Sequence, residues 1–432
     1  MPKKSAASAA HAEASVRLSS RGVARLQARH PWVYRSDIVG ADDTPPGALV
    51  RVLDPRGKFL GTALYSSSSQ IAIRMISHGS VADLSALVAE RIRAAIAYRK
   101  GLVRNTDAYR IVFSEADFLP GLIVDRYNEV VTLQILTQAM DAAPAREAIL
   151  QTLRNEDDLQ PAGIVERVDA RIRELEQLPP LSSRLLWGAK SSTVIHMNGW
   201  NGNGAMTNDA TTNAGITNGV TTDDGESNAV CFHYDGFEGQ KTGAFLDQRE
   251  NYAAAAEYAH GEALDAFCYQ GGFALHLATR CANVTGVDSS RPALEMAEKN
   301  ALLNGRELEW IEGNAFDLLR EYAAANRRYD TIVLDPPAFA KTKRDLEKAL
   351  GGYKELNLRA LKMLRPGGIL VTCSCSFHVG ASDYLGVVAG AARDAHKSLR
   401  LLESRGAAKD HPMLVNVPET SYLKCLILSV SD

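Results

Sequence analysis

Two cysteines stand two residues apart at the end of an apolar run, in the segment Gly368-Ile-Leu-Val-Thr-Cys373-Ser-Cys375-Ser. Side chains two apart in a strand lie on one face, so both thiols share a side if the strand continues past Cys373. A cysteine in a strand is most often a small buried hydrophobe, but a thiolate is also a nucleophile. The pattern therefore makes Cys373 and Cys375 candidates for nucleophilic catalysis.

A carboxylate loop follows another apolar strand. Asp335-Pro336-Pro337-Ala-Phe comes directly after the strand predicted from Thr331 to Leu334. Prolines fix the backbone φ angle, so this loop holds its side chains stiffly. Open α/β sheets bind ligands at the carboxyl ends of their strands, which predicts that Asp335 faces a ligand.

A strand, a glycine turn and a helix are predicted in the stretch that contains Asp265, Gly271 and Gly272. Glycines let a ligand approach backbone that no Cβ atom obstructs, and a helix start presents free N–H groups. The next strand ends at Asp288, 16 residues after Gly272 (288 − 272). At about this spacing a doubly wound sheet presents an acid to ribose hydroxyls.

Two ligands compete for this turn, a dinucleotide and S-adenosylmethionine. The dinucleotide fingerprint needs three glycines, whereas this turn has two, with bulky Phe267 and Tyr269 where small residues are required. Asp265 at a strand end suits the ammonium group of an amino acid ligand. The residues therefore favour S-adenosylmethionine over a pyrophosphate.

Composition limits the class of protein. A chain of 432 residues has room for about two to four domains, and its net charge of −3 predicts no general affinity for polyanions. Six scattered cysteines without a C-x-x-C pair favour a reducing cytosol over a disulfide scaffold or a zinc site. The start of the chain lacks the apolar core of a signal peptide, and no run approaches the ~18 apolar residues of a membrane span. We expect a soluble, cytoplasmic protein that binds no metal and no membrane.

Near the start of the chain, the segment from Ser15 to Ser36 carries five arginines and His30, and no acid follows Ser15 until Asp37. Trp32 and Tyr34 lie within it, so cations that hold phosphates would adjoin rings on which a base could stack. A solvated face beside a small β core is the alternative. The predicted RNA-binding residues are Arg21, Arg25, Arg29 and Trp32.

Apolar periodicity divides the chain into four parts: a disordered tail (1–15), a small all-β domain (16–80), a linker helix with a central α+β domain (81–235), and an α/β domain (236–432). The linker helix is predicted from Val81 to about Arg104. Residues 198–228 are rich in Asn and Gly without apolar periodicity and are predicted to be a disordered insertion. Strands and helices alternate after Cys231, which predicts a doubly wound sheet closed by strands around 413–417 and 423–428.

Taken together, these motifs resemble the bacterial large-subunit 23S rRNA cytosine-C5 methyltransferases that carry an N-terminal PUA domain. The similarity covers nearly the whole chain outside the insertion and the first ~15 residues. The stretches that carry it are Asp265-Ala-Phe-Cys-Tyr-Gln-Gly-Gly-Phe, Gly286-Val-Asp-Ser-Ser, Asp335-Pro-Pro-Ala-Phe, Thr372-Cys-Ser-Cys-Ser, Gly239-Gln-Lys-Thr-Gly-Ala-Phe-Leu-Asp-Gln-Arg249 and His30-Pro-Trp-Val-Tyr.

The resemblance implies a Rossmann-like class I methyltransferase whose cofactor is S-adenosylmethionine. It implies that Asp288 bonds the ribose and that Asn314 with Ala315 borders the adenine, although the family commonly has Asp where Asn314 stands. The implied partner is 23S rRNA of the large subunit, with a homodimer left open. The residues implied around the cofactor are Gln248, Arg249, Asp265, Phe267, Tyr269, Gly271, Gly272, Asp288, Ser289, Asn314, Ala315 and Asp335.

The implied chemistry is addition of a thiolate to C6 of cytosine, because C5 is not nucleophilic enough to accept a methyl group unaided. Cys373 is preferred as the thiolate because Thr-Cys-Ser matches the family motif better, and Cys375 is the second choice. Asp335 would hold the cytosine amino group or N3. Three alternatives remain: methylation of an exocyclic amine, for which both cysteines are dispensable, a non-catalytic RNA-binding assembly factor, and methylation of a small molecule or protein.

Overall fold

The computed structural model describes residues 14–41, 43–198, 229–238, 243–340 and 342–431. Of the predicted disordered tail, residues 1–13 lie outside the described residues, whereas Ser15 already begins a strand that pairs with Arg51. Most of the predicted insertion, residues 199–228, also lies outside them.

The first sheet has six strands in the order β2-β6-β5-β4-β1-β3. Alternation builds its core: in β1, Val16 and Leu18 are buried while Ser15 and Arg17 face solvent. The domain also contains one helix, which the prediction of an all-β module did not include; Ser19 caps it by accepting from the Gly22 N–H. The elements are β1 (Ser15–Leu18), α1 (Ser20–Gln27), β2 (Trp32–Tyr34), β3 (Ile38–Gly40), β4 (Leu49–Leu53), β5 (Phe59–Tyr65) and β6 (Ile71–Ser77).

The second sheet has five strands in the order β11-β10-β9-β8-β7. The predicted linker helix is confirmed as α2, which Asp83 caps and which packs into the core of this domain through Val88, Ile92 and Ile96. The elements are α2 (Leu84–Leu102), β7 (Ala108–Phe113), β8 (Leu122–Tyr127), β9 (Val130–Ile135), α3 (Gln138–Asp141), α4 (Ala143–Asn155), β10 (Gly163–Glu166), α5 (Ala170–Leu175) and β11 (Arg184–Gly188).

A two-stranded antiparallel sheet follows, formed by β12 (Ser192–Met197) and β13 (Val230–Asp235). Met197 is in register with Val230, so residues 198–229 connect two paired strands. The buried side chains of this hairpin share an apolar core with one face of the large sheet that follows it in the chain.

The third large sheet has seven strands in the order β16-β15-β14-β17-β18-β20-β19, of which the first five are parallel. Helices α6, α7 and α8 cover one face and α9, α10 and α11 the other, so each face has its own apolar core. The predicted doubly wound sheet is therefore confirmed. The elements are α6 (Arg249–Tyr258), β14 (Glu262–Ala266), α7 (Gly272–Leu277), β15 (Asn283–Asp288), α8 (Arg291–Leu303), β16 (Glu309–Glu312), α9 (Ala315–Ala324), β17 (Tyr329–Leu334), α10 (Leu346–Met363), β18 (Leu364–Ser374), α11 (Ala381–Asp394), β19 (Ser398–Arg405) and β20 (Lys424–Ser431).

One of the two closing strands was predicted in the wrong place. Residues 413–417 form turns between Pro412 and Pro418, and Val415 is 88% exposed, so apolar side chains here do not signal a strand. The strand that closes the sheet is β19, which pairs antiparallel with β20 at the edge. Its charged and largely exposed side chains hid it from an argument based on apolar alternation.

Candidate active site

A cavity of about 610 Å³ opens at the carboxyl edge of the seven-stranded sheet. Three of its walls come from strand ends: Asp288 is the last residue of β15, Asp335 follows β17, and Cys375 follows β18. Parallel strands end at the same edge, so topology alone brings together residues that are far apart in the chain.

The turn between β14 and α7 holds two residues in a strained backbone conformation. Phe267 and Tyr269 have φ angles of 69° and 49°, in the left-handed region that side chains other than glycine rarely adopt. Hydrogen bonds to β15 hold this shape: the Phe267 N–H donates to the Val287 carbonyl at 2.8 Å, and the Tyr269 N–H to Asp288 Oδ2 at 2.9 Å. Both strained residues line the cavity.

The two glycines of the turn serve different purposes. Gly271 has a φ angle of 87° and caps α7, and it does not lie on the cavity wall. Gly272 lines the cavity, and a Cβ atom there would lie 2.5 Å from the ring of Tyr252. The close approach that requires glycine at 272 therefore involves this ring.

Asp265 lies behind the turn, fully buried and not part of the cavity wall. Its Oδ2 accepts from the Ala274 N–H at 2.8 Å, while Oδ1 has no hydrogen-bond partner among the described residues. Burial, and then the nearby carboxylates of Asp335 and Asp288, raise the pKa of Asp265 well above its usual range. Three carboxylates near one cavity fit a cationic ligand such as S-adenosylmethionine, with its sulfonium and ammonium groups.

Asp288 is tied into the turn through both oxygens, since Oδ1 accepts from the Ser290 N–H at 2.8 Å. Each carboxylate oxygen keeps a further lone pair, so hydroxyl groups could still donate to it. Asn314 caps α9 by accepting from the Phe316 N–H at 2.9 Å. Asn314, Ala315 and Ser289 all lie on the cavity wall, as predicted for cofactor-binding residues whose roles stay predictions.

The predicted pair Gln248 and Arg249 is divided by the fold. Gln248 lines the cavity, whereas the buried guanidinium of Arg249 points away, 3.2 Å from Asp410 Oδ1. Asp410 also accepts from the Arg110 N–H at 2.8 Å, and its carbonyl accepts from Arg99 at 2.8 Å. Arg249 therefore joins this edge of the sheet to the central domain.

The two thiols are separated as well. Strand β18 ends at Ser374, so the alternation does not extend to Cys375. Cys373 is fully buried opposite Cys425 in β20, and burial together with this second thiol raises the pKa of Cys373 well above its usual range. Cys375 lies on the cavity wall, where its Sγ donates to the Pro336 carbonyl at 3.8 Å. The structure brings Cys375 to the cavity and leaves Cys373 in the core.

Several cavity residues were not predicted, and among them Asp247, Tyr252 and Tyr422 carry polar groups. The Tyr422 hydroxyl donates to Asp247 Oδ2 at 2.5 Å. Tyr422 comes from the connection between β19 and β20, which carries no motif of its own. Asp247 lies inside the stretch 239–249 that carried part of the resemblance, and this was the signal that could have identified it.

The basic segment near the chain start distributes its side chains among several partners. Arg21 is exposed and bonds Asp37 and Ser36, Arg25 lies over the Tyr34 ring at 4.7 Å, and Arg29 is exposed. Trp32 is half-buried because its Nε1 donates to Glu115 of the central domain at 2.9 Å. Arg21 and Arg29 thus lie on the surface, Arg25 is half-buried against Tyr34, and the Trp32 indole connects two domains.

Among the described ranges, no group of three His, Cys, Asp or Glu side chains is arranged to hold a metal ion. In the same part of the chain, no helix is both long and apolar enough to span a bilayer. The six cysteines all lie within the described ranges, and each is a thiol outside any disulfide.

Two family profiles match the chain. Residues 16–78 match a PUA-like domain, and residues 164–429 match an S-adenosylmethionine-dependent methyltransferase. The fold is also that of a methyltransferase called SMU.776, crystallised with SAH, which superposes with a TM-score of 0.76 at 17% identity over 96% of this chain and all of the other. These findings confirm the predicted fold class and the predicted cofactor.

Relatives are similar along almost their whole length. A protein of Shewanella denitrificans named ribosomal RNA large subunit methyltransferase I is 35% identical, covering 94% of this chain and 96% of its own. The protein of the same name from Photobacterium profundum is 34% identical, covering 92% and 95%. The chain therefore belongs to the S-adenosylmethionine-dependent methyltransferases and, within them, to the family named ribosomal RNA large subunit methyltransferase I.

Proposed function

We propose that the protein methylates C5 of a cytosine in 23S rRNA and that Cys375 is the nucleophile. The observation that carries this proposal is the position of the Cys375 thiol on the cavity wall, against the Asp335-Pro336-Pro337 loop. Cys373, the better match by motif, is fully buried in the core and does not line the cavity. The names of the curated relatives support a ribosomal RNA substrate.

When bound, S-adenosylmethionine supplies the methyl group. Asp288 would accept from its ribose hydroxyls, and Asn314 and Ala315 would border its adenine. Asp265 fixes the first turn of α7 from behind the wall, by accepting from the Ala274 N–H. Gln248, Ser289 and the ring of Phe267 complete the wall.

The Cys375 thiolate adds to C6 of the target cytosine, which forms a C–S bond and moves the C5–C6 double-bond electrons toward N3. C5 is then nucleophilic enough to take the methyl group. The C5 proton then leaves to solvent, and the electrons of its C–H bond re-form the C5–C6 double bond as the C–S bond breaks, which restores the aromatic ring and the free enzyme. Asp335 binds the amino group or N3 and holds the base for attack.

The target must leave its stack to enter this cavity, at a cost of a few kcal/mol that interactions with the rest of the RNA must offset. The exposed arginines of the N-terminal domain, Arg21 and Arg29 with Arg25 beside Tyr34, bind phosphates of that RNA.

The mechanism is tested with RNA that carries 5-fluorocytidine at the target. Fluorine at C5 cannot leave as a proton, so elimination stalls and the protein stays covalently attached. We expect a trapped adduct with the wild type and with Cys373→Ala, and none with Cys375→Ala, on denaturing gels. Methylation by the Cys373→Ala/Cys375→Ala double variant at the wild-type rate would instead favour an exocyclic amine as the acceptor.

The substrate is tested by mass spectrometry of ribosomal RNA from a deletion strain. We expect one 5-methylcytosine of 23S rRNA to disappear and to return with the wild-type gene but not with Cys375→Ala. An unchanged 23S methylation pattern would contradict the proposed substrate.

A further inference from the structure

Lys424, a residue that no sequence motif singled out, lies beside Cys375. It is the first residue of β20 and pairs with Ser374 of β18, the residue before Cys375. Its Nζ donates to the carbonyl of Ser376 at 2.6 Å and to the carbonyl of Tyr422 at 2.8 Å. The ammonium therefore bridges the two segments that border the cavity on this side.

The turn that carries Cys375 is held at each neighbouring residue. The Ser376 N–H donates to Ser374 Oγ at 3.3 Å, and Ser376 Oγ accepts from the Ala340 N–H at 3.1 Å. The Tyr353 hydroxyl lies 2.9 Å from the same Ser376 oxygen. With Lys424 on the Ser376 carbonyl, this arrangement fixes the turn both to β20 and to the loop that begins at Asp335.

The charged groups near the Cys375 thiol indicate that Lys424 does more than hold the turn in place. Asp335 lies next to the Pro336 carbonyl that Cys375 contacts, and a carboxylate there opposes formation of a thiolate. The phenols of Tyr353 and Tyr422 also interact electrostatically with Cys375, and burial raises the pKa of both, so both are neutral at pH 7. Burial lowers the pKa of Lys424 to about 8 while the interaction with Cys375 opposes this, so Lys424 is mostly an ammonium at pH 7.

We propose that the Lys424 ammonium stabilises the thiolate of Cys375 and so prepares it for addition to the base. This inference rests on the proposed function, because it assigns a partner to the nucleophile named there. Ionisation of Cys375 releases its proton to solvent, and Lys424 keeps its three protons throughout. Lys424 is a positioning residue, since it acts through the thiol and not on the RNA.

The test measures the rate at which iodoacetamide alkylates Cys375 in the full-length protein between pH 6 and 10. Tandem mass spectrometry separates Cys375 from Cys373, which is buried and serves as an internal control. Lys424→Arg keeps the positive charge, Lys424→Gln keeps hydrogen-bond donors without charge, and Lys424→Met removes both. Lys409→Met removes an exposed lysine from the same β19–β20 connection and is the matched control.

We expect the wild type, Lys424→Arg and Lys409→Met to show a Cys375 alkylation midpoint below the ~8.5 of a free cysteine. In Lys424→Gln and Lys424→Met the midpoint should rise by about one unit or more, which slows alkylation at pH 7 by roughly tenfold, with an unchanged plateau at high pH. A plateau reached at the wild-type rate shows that the variant is folded and the thiol accessible, so the shift reports charge.

A wild-type midpoint in Lys424→Gln with a normal plateau would overturn the inference. This outcome is separate from failure of the proposed function, which would appear as full methylation by Cys375→Ala while the alkylation shift persisted. If Lys424→Met does not fold, the comparison of Lys424→Gln with Lys424→Arg decides in the same way.

Discussion

The carboxyl edge of the seven-stranded sheet gathers its polar side chains onto one cavity, whereas the basic segment 17–35 divides its side chains among separate partners. Asp288, Asp335 and Cys375 stand on three strand ends and share one space. Trp32, by contrast, bonds Glu115 in another domain, and Arg21 bonds Asp37.

The difference lies in what sets the position of each side chain. At the edge, the direction of parallel strands forces their ends together, so a residue at a strand end lies near the cavity whatever its own bonding partners. In the basic segment, each side chain finds its own partner, and the residue type does not tell which one. We therefore expect a substitution at the edge to alter a property of the whole cavity. A substitution in the basic segment should alter only the contacts of that one side chain.

The largest expected effect concerns His276, which supports the glycine turn from behind. Its Nδ1–H donates to the Gly272 carbonyl at 2.8 Å, and burial lowers its pKa to about 4. Unfolded His276 gains a proton near pH 6.5 while the folded form does not, so its stabilising contribution is complete above pH 6.5 and is lost as the pH falls toward 4. The total is about 3 kcal/mol in the free energy of unfolding, measured by denaturant titration at several pH values.

His276→Gln is the reference for that experiment, because it removes this titration and leaves the carboxylates unchanged. The wild type should lose more stability than His276→Gln between pH 7 and pH 4. Equal losses in both proteins would show that the turn is not held by a neutral histidine.

The next effect concerns cofactor affinity at the strand end of β15. Asp288→Ala removes the carboxylate that accepts from the Tyr269 and Ser290 N–H groups and, by our proposal, from ribose hydroxyls. We expect binding of S-adenosylmethionine to weaken by about 1–3 kcal/mol, or roughly 5- to 150-fold, in isothermal titration calorimetry. Glu312→Ala is the control, because Glu312 is the exposed register partner of Asp288 on β16 and lies outside the cavity wall. Wild-type affinity in Asp288→Ala would show that Asp288 does not contribute to cofactor binding.

The smallest effect per residue is expected in the basic segment. Changing Arg21, Arg25 and Arg29 together to Ala should weaken RNA binding. The slope of log affinity against log salt should fall by a little under one unit for each arginine that no longer neutralises a phosphate. S-adenosylmethionine affinity should stay unchanged, because none of these side chains belongs to the cavity wall. Fluorescence anisotropy with a 23S rRNA fragment measures the slope.

The control for this triple variant is a second one that changes Arg280, Arg327 and Arg328, which are exposed at the amino edge of the sheet, opposite the cavity. It should leave the slope unchanged. If both triple variants bound RNA equally well, the basic segment would be a solvated surface without a role in RNA binding. Only the sheet edge would then have a function.

Local patterns predicted the sheet well because its strands are short apolar runs that end in polar residues or glycine. Asp288 and Asp335 were placed at strand ends from spacing alone, and both line the cavity. The same reasoning failed at 413–417, where exposed apolar residues between prolines imitate a strand. It also missed β19, whose mostly exposed side chains mix leucines with charged residues and do not alternate. Edge strands and loops do not obey the burial rule on which the pattern depends.

The site was predicted less completely than the fold. A motif placed the turn between β14 and α7 beside the cavity, but it did not distinguish residues on the cavity wall from residues behind it. Gly272 and Phe267 lie on the wall, whereas Gly271 and Asp265 hold the turn from outside it. The choice between two thiols also depended on one residue at the end of β18, a boundary finer than pattern analysis resolves.

By itself, the sequence determined the class of fold, the cofactor and the family, since all three depend on the order and spacing of neighbouring residues. Tertiary structure decided which thiol reaches the cavity, which arginines are buried and which lysine lies near that thiol. These outcomes depend on bonds between distant residues: Arg110 meets Asp410 across 300 positions, and Lys424 meets Ser376 across 48. Spacing along the chain carries no information about such pairs, because only the packing of one domain or strand against another brings them together.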